Sequence, residues 1–199
     1  MKVNNDAANK PIDKKALIGK GGPIAGSAIS IIGNLFVLIG FVLPWASCGS
    51  YKLSGIGIVT YSAQGKLGAS GGTLLCLIPF LAIGVIGIAL LTIPAALIKK
   101  IPSLVKPIGT VLVLLLTSLA CLPACLFFFN MQSTKNNPNY YGMGSFVQVE
   151  FGFWMTIFGF FVSFMGGCIG VGASITEMAM SKKPLSNVPL FDGSLKEKP

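Results

Sequence analysis

Four long stretches of this chain are apolar and carry no charged side chain. They lie at residues 24–44, 73–98, 108–129 and 151–174, and each holds at least 20 residues. About 20 helical residues cross the ~30 Å hydrocarbon core of a bilayer. Backbone groups cannot remain unpaired in lipid, so each stretch must be helical. The sequence therefore predicts an all-α membrane protein whose domain, residues 24–175, is a four-transmembrane-helix bundle.

The composition agrees with a membrane protein and narrows its chemistry. Only 11% of the residues are charged and the mean hydropathy is +0.77, whereas about a quarter of a soluble domain is charged. The net charge is +9, and all fifteen positive side chains are Lys. The chain contains no Arg, which is the side chain most often used to bind nucleic acid. It also contains no His, which is a common ligand of metals and haem. We therefore predict no nucleic-acid partner and no metal, and we favour a non-enzymatic role. We assign no cofactor, and the sequence leaves open whether a quinone or pigment binds the Phe-rich surface.

The positions of the Lys residues predict the orientation of the helices. Twelve of the fifteen lie in the N-terminal segment 1–23, the link between the second and third stretches, and the tail 176–199. The outer loops 45–72 and 131–150 hold only Lys52, Lys66 and Lys135. Positive charge accumulates on the cytoplasmic side of a membrane. We expect a multi-pass plasma-membrane protein with both termini in the cytoplasm.

The two outer loops carry patterns that indicate strands. Residues 51–61 are rich in β-branched and aromatic side chains, and a break at Ser54-Gly55 suits a short hairpin. Residues 146–149 in the second loop could add a strand to it. We predict a small extracellular β-sheet that caps the helices; the alternative is a pair of irregular loops.

Small residues recur along the first and fourth stretches at alternating steps of four and three. Such stripes allow the backbones of two helices to approach closely in lipid. We predict that these two helices pack together inside one bundle, or that one stripe faces another subunit. The predicted helix-packing residues are Gly26, Ser30, Gly33 and Gly40 in the first stretch and Gly152, Thr156, Gly159, Ser163, Gly166 and Gly170 in the fourth.

The five cysteines admit three interpretations. Cys48, Cys76 and Cys125 all fall near the outer ends of predicted helices, so Cys48 could form a disulfide with either of the others in an oxidising compartment. Cys121 and Cys125 are one helical turn apart, which leaves thiol-redox chemistry open although the spacing is not Cys-x-x-Cys. The third interpretation is that most of them are buried apolar side chains.

A few polar and aromatic residues stand out against the apolar background. Asn34 is the strongest polar group within the four stretches, and we expect it to form a hydrogen bond across a helix interface. The aromatic residues Trp45, Tyr140, Tyr141 and Trp154 fall near predicted helix ends, which is typical of a belt at the membrane interface.

Two resemblances rest on particular residues. The segment Leu43-Pro-Trp-Ala-Ser-Cys-Gly49 is followed by Leu53-Ser-Gly55 and later by Gly152-Phe-Trp154 and Gly166-Gly167. Together they resemble a pattern in uncharacterised four-helix prokaryotic membrane proteins. In outline the chain is also similar to claudin-like proteins, which have four helices, cytoplasmic ends and a first loop that forms a sheet with the second. Claudins carry a pair of cysteines in that loop, whereas this one has Cys48 alone. The resemblance therefore implies topology only.

Three functions are compatible with these features. The favoured one is a non-enzymatic membrane scaffold or accessory subunit, with the lipid bilayer and other membrane chains or further copies of itself as partners. An oligomeric small-molecule transporter or pore is the second, and a membrane thiol-redox protein is the third.

Overall fold

A computed structural model of the protein describes residues 14–65, 72–98, 105–135 and 147–181. Most of these residues are helical. Four long helices are present in them: α1 (Lys14–Val42), α3 (Leu77–Leu97), α4 (Val105–Lys135) and α5 (Phe151–Ser181). A short helix, α2 (Gly55–Ala63), and three strands, β1 (Pro44–Cys48), β2 (Tyr51–Ser54) and β3 (Val147–Val149), complete the described elements.

All four long helices are long and apolar enough to cross a membrane. Their apolar spans are Gly21–Val42, Thr73–Leu97, Pro107–Ser133 and Phe151–Ala179, the second of which includes a 3₁₀ turn at Thr73–Cys76. The predicted helices are therefore confirmed as elements. The helices themselves are longer than predicted: α1 begins within the segment assigned to the N-terminal region, and α5 continues beyond residue 174.

The long helices form a closed ring of four. α1 packs most extensively against α5 and also against α3, while α4 lies between α3 and α5. Residues near the start of α1 face residues near the end of α5, so this pair is antiparallel. Of the two main neighbours of α1, α3 comes from the first half of the chain and α5 from the second half.

The two loops contribute to one three-stranded sheet, as predicted. Its order is β2-β1-β3 and both pairings are antiparallel, with Ala46 of β1 opposite Leu53 of β2 and Val149 of β3. We call this sheet the cap sheet and the end of the bundle where it lies the cap end. The turn between β1 and β2 contains Gly49 at φ +60°, a conformation that glycine adopts readily.

The predicted hairpin within residues 51–61 is wrong in detail. The hairpin turn lies earlier, and the Ser54-Gly55 pair begins α2 instead of breaking two strands. Ser54 has an extended backbone, and its Oγ accepts a hydrogen bond of 3.1 Å from the backbone N–H of Gly57. This is an N-cap, which satisfies one of the free donors of the first helical turn. The cap overrides the strand preference of the residues that follow.

The main apolar core lies at the cap end of the bundle. α2 closes over it, with Ile58 buried and Gly55 placed directly against the ring of Phe41. The core residues come from every long helix and from the cap; they are Val37, Phe41, Trp45, Ile58, Leu75, Ile78, Ala82, Ala120, Ala124, Phe153 and Phe160. A smaller cluster of Val85, Ala89 and Val113 fills the space between α3 and α4 farther from the cap.

Candidate functional site

The small residues of α1 and α5 meet along one continuous line, which we call the seam. Glycines recur every seven residues on both helices, at Gly26, Gly33 and Gly40 and at Gly152, Gly159 and Gly166. A seven-residue period keeps one face of each helix on its partner in left-handed packing. The ten predicted helix-packing residues are all buried. The stripes therefore face each other within one chain, and neither is left for a neighbouring subunit.

The seam is a contact between backbones. A Cβ added to Gly26 would lie 2.6 Å from the carbonyl oxygen of Gly166, and one added to Gly159 would lie 2.6 Å from the carbonyl oxygen of Gly33. Carbon atoms essentially never approach oxygen that closely without a bond between them. Even an alanine at these positions would force the two helices apart, so glycine is required there by space.

The remaining predicted positions carry small polar side chains or face another helix. Thr156 lies against Gly40, and its hydroxyl donates to the carbonyl oxygen of Gly152 at 2.9 Å. Gly170 approaches both Gly26 and the side chain of Thr110 on α4. The end of α5 that is remote from the cap therefore packs against two helices at once.

Near the middle of the seam, four side chains from three helices form a buried group that we call the polar cluster: Ser30, Asn34, Thr117 and Ser163. The Nδ2 of Asn34 donates to the carbonyl oxygen of Ser30 at 2.8 Å and to the Oγ of Ser163 at 2.7 Å. The Oγ of Ser30 donates to the carbonyl oxygen of Ser163 at 3.0 Å. The predicted hydrogen bond of Asn34 across a helix interface is thus present, and it joins α1 to α5.

The polar cluster extends to α4, and a separate contact reaches α3. The hydroxyl oxygens of Thr117 and Ser163 are 3.0 Å apart, and those of Ser27 and Thr92 are 2.6 Å apart. Other buried hydroxyls, such as that of Ser174, donate to a carbonyl oxygen of their own helix. The contacts of Ser27 and Ser163 therefore tie the α1–α5 pair to both of its neighbours.

The sequence interpretation missed Thr117 and Thr92. A usable signal was present, because the buried side of α4 also has small or medium residues at steps of three and four; these are Thr110, Val113, Thr117, Ala120 and Ala124. Glycines mark the stripes of α1 and α5, whereas the stripe of α4 consists of threonine, valine and alanine. Extending the same criterion to threonine and alanine would have identified the face of α4 that meets the seam.

Trp45 is part of the core and does not belong to an interfacial belt. Its side chain is fully buried, and its indole Nε1 donates to the carbonyl oxygen of Gly40 at 2.9 Å. The ring meets Phe41 and Phe153 edge-on, with centroids 5.4 Å away in both cases. The belt assignment of Trp45 is therefore wrong, because the chain turns into β1 and carries the indole back over the bundle. Trp154 is exposed, and Tyr140 and Tyr141 lie outside the described residues.

The cap sheet is tied to the start of α5 next to Trp45. The backbone N–H of Glu150 donates to the carbonyl oxygen of Trp45 at 2.9 Å. Its carboxylate lies 3.9 Å from the Nζ of Lys52, a partly exposed ion pair that contributes little energy. The buried indole of Trp45 and the backbone hydrogen bond of Glu150 therefore join the cap sheet to the ends of α1 and α5.

All five cysteines are free thiols in the structure, so the proposed disulfide of Cys48 with Cys76 or Cys125 is not formed in it. Cys48 is exposed at the end of β1, whereas Cys76 is half-buried. The structure instead brings Cys121 and Cys125 together, with their sulfur atoms 3.7 Å apart on one face of α4. Within the part of the chain that the structure describes, no three metal-ligating side chains are grouped as a metal site.

The outward face of α5 carries large aromatic side chains, opposite the glycines of the seam. We call this surface the aromatic wall; its members are Phe151, Trp154, Phe158, Phe161 and Phe164, which are between 41% and 70% exposed. Near the cap end the wall meets α4, where Phe128 contacts Trp154 with ring centroids 6.2 Å apart. The helix α5 thus presents its glycines to α1 and five large aromatic side chains outward, while Phe153 and Phe160 are buried in the core.

No protein-family model matches this chain, and no curated protein matches it either.

Proposed function

We propose that this chain is a non-catalytic integral membrane scaffold or accessory subunit, which presents a rigid aromatic surface to other membrane chains. Both termini would be cytoplasmic and the cap sheet would face the exterior of the plasma membrane. The observation that carries the proposal is the division of α5 into a glycine face held against the backbone of α1 and an aromatic wall directed outward.

The rigidity of α5 is what makes the wall suited to recognition. Lipid tails are as apolar as the side chains of a helix, so the hydrophobic effect does not drive helices together in a bilayer. Helix association there depends largely on van der Waals contact. A surface that is already ordered loses less entropy when a partner binds. The seam fixes α5 along its length, so Phe158 and Phe161 would offer ordered rings of large contact area.

The buried residues of the described helices support a packing role over a catalytic one. The polar side chains buried there are Ser, Thr and Asn, most of which already have hydrogen-bond partners inside the bundle. Neutral hydroxyls bonded in this way fix the positions of helices. We therefore interpret the bundle interior as a structural element that supports the aromatic wall.

Native mass spectrometry of the protein extracted gently from its own membrane tests the proposal. A stoichiometric foreign chain is expected. Phe158→Ala with Phe161→Ala should release that chain, while Leu90→Ala with Leu91→Ala, on the exposed face of α3, should not. A species made only of this chain would contradict the accessory role and would direct attention to an oligomeric transporter, for which flux into liposomes is the next measurement.

Thiol-redox chemistry is a second candidate, favoured by the 3.7 Å distance between the sulfur atoms of Cys121 and Cys125. Oxidation would join the two sulfurs and release two protons and two electrons, which an acceptor of the quinone class would take up. Replacing both residues with Ser should then abolish the thiol-redox activity. Cys168→Ser, on the exposed side of α5, should leave this activity unchanged. Unchanged function in the double variant would remove this candidate.

A further inference from the structure

The side-chain amide of Asn34 has only one permissible orientation. Its Nδ2 lies 2.8 Å from the carbonyl oxygen of Ser30, an atom that can only accept a hydrogen bond. Exchanging the amide nitrogen and oxygen would place two acceptors against each other. The Oδ1 atom therefore points away from Ser30, and it has no hydrogen-bond partner among the described residues although Asn34 is fully buried.

The two hydroxyls beside Asn34 have one hydrogen to spare. Ser163 and Thr117 each carry one hydroxyl hydrogen, and the 3.0 Å contact between their oxygens uses one of the two. Ser163 already accepts from Asn34. If Ser163 donates to Thr117, the Ser163 hydroxyl both accepts and donates, an arrangement in which successive hydrogen bonds strengthen one another. The unused donor is then the hydroxyl of Thr117, and the unused acceptor is the Oδ1 of Asn34.

We propose that a single water molecule binds in the polar cluster, accepting a hydrogen bond from Thr117 and donating one to the Oδ1 of Asn34. It would close a ring that runs from Asn34 to Ser163, to Thr117, to the water and back to Asn34. Buried waters in proteins typically serve such otherwise unsatisfied groups. The site lies on the α4 side of the seam, because the backbones of Gly33 and Ser163 are in contact and leave no room between α1 and α5.

A neutral occupant fits this site better than an ion. The three stretches that supply the cluster, 24–44, 108–129 and 151–174, contain no charged residue, so nothing would neutralise an ion in an apolar interior. The Nδ2 hydrogens of Asn34 also point into the cluster and would repel a cation. Water both donates and accepts hydrogen bonds in a very small volume, so it can accept from Thr117 while it donates to Asn34.

A crystal structure of the full chain grown from a lipid phase tests the proposal, with the wild type compared with Thr117→Val and Thr117→Ser. One density peak is expected at hydrogen-bonding distance, about 2.7–3.0 Å, from both the Oδ1 of Asn34 and the Oγ1 of Thr117. It should persist in Thr117→Ser, which keeps the hydroxyl, and disappear in Thr117→Val, which keeps the shape.

Four results would overturn the inference. The peak could be absent where other buried waters are resolved, or the Oδ1 of Asn34 could contact a protein donor directly. Retention of the peak in Thr117→Val would show that Thr117 does not hold the occupant. A peak with five or more oxygen neighbours would identify a cation instead of water.

Discussion

Gly33 of α1 lies directly against Ser163 of α5. A Cβ at Gly33 would collide with the backbone nitrogen of Ser163 and would lie 2.8 Å from its Cα. At the same level the side chain of Ser163 binds Asn34 and approaches Thr117. The closest approach of two backbones and the polar cluster therefore coincide, and the small size of both residues is a condition for the hydrogen bonds beside them.

Gly33→Ala should destabilise the bundle, because the added methyl group forces α1 and α5 apart. Overpacking of this kind costs about 1–3 kcal/mol, and we expect a loss in the upper part of that range. The measurement is the free energy of unfolding in mixed micelles titrated with a denaturing detergent. Gly84→Ala on α3 is the matched control, since its added Cβ meets nothing within 4 Å. Equal unfolding free energies for the two variants would refute the close seam.

Ser163→Ala should weaken the bundle by about 1 kcal/mol, within the range measured for hydrogen bonds between membrane helices. The change removes the contacts of one hydroxyl with Asn34 and Thr117. Ser118→Ala is the control, because Ser118 is exposed and donates only to Leu114 of its own helix. Combined with Thr117→Val, Ser163→Ala should show a coupling of about 0.5 kcal/mol or more; strictly additive effects would contradict a shared network.

The two tryptophans should differ in their access to lipid. Trp45 is fully buried and Trp154 is 54% exposed. In bilayers that contain brominated lipid, the fluorescence of Trp154→Phe, which reports Trp45, should be quenched weakly. The fluorescence of Trp45→Phe should be quenched strongly. Similar quenching in both variants would place Trp45 at the surface.

Trp45→Phe should also destabilise the protein more than Trp154→Phe. The change removes the hydrogen bond from the indole to the carbonyl oxygen of Gly40, near the end of α1, and part of the ring that fills the cap-end core. We expect a loss of about 1–2 kcal/mol in the free energy of unfolding. The exposed ring of Trp154 serves as the control, and a greater loss for Trp154→Phe would contradict the role assigned to Trp45.

Thiol labelling tests the proposed orientation. Cys48 is exposed at the cap end, so a variant that keeps Cys48 as its one cysteine should react with a membrane-impermeant maleimide in intact cells. With all native cysteines replaced by Ser, Lys196→Cys in the C-terminal tail should react only after the cells are opened. The reverse result would place the cap sheet in the cytoplasm.

The sequence predicted the four long helices from their length and their lack of charge, more than from side-chain detail. An uncharged stretch such as 73–98 has few alternatives to a helix if it lies in lipid. The glycine repeats at Gly26, Gly33 and Gly40 also had a direct physical meaning, since small residues at a fixed period allow close approach. Such local patterns can be interpreted without knowing which element is adjacent in space.

The errors arose where the outcome depends on neighbours. Residues after Ser54 favour strands by composition, yet an N-cap and the burial of Ile58 make them helical. Trp45 follows an apolar stretch, as an interfacial residue would, but the turn into β1 directs it into the core. The N-cap is local, but the burial of Ile58 and of Trp45 depends on core residues that are distant in the chain.

The sequence by itself thus determined the number of long apolar helices and the faces of α1 and α5 that suit close packing, because length, charge and period are local properties. Only the tertiary structure decided that these faces meet each other, that Thr117 joins Asn34 and Ser163, and that the aromatic wall is directed outward. Those outcomes depend on which helix lies beside which. Four apolar helices of similar length can be arranged in several ways, and backbone contact along the seam selects one of them.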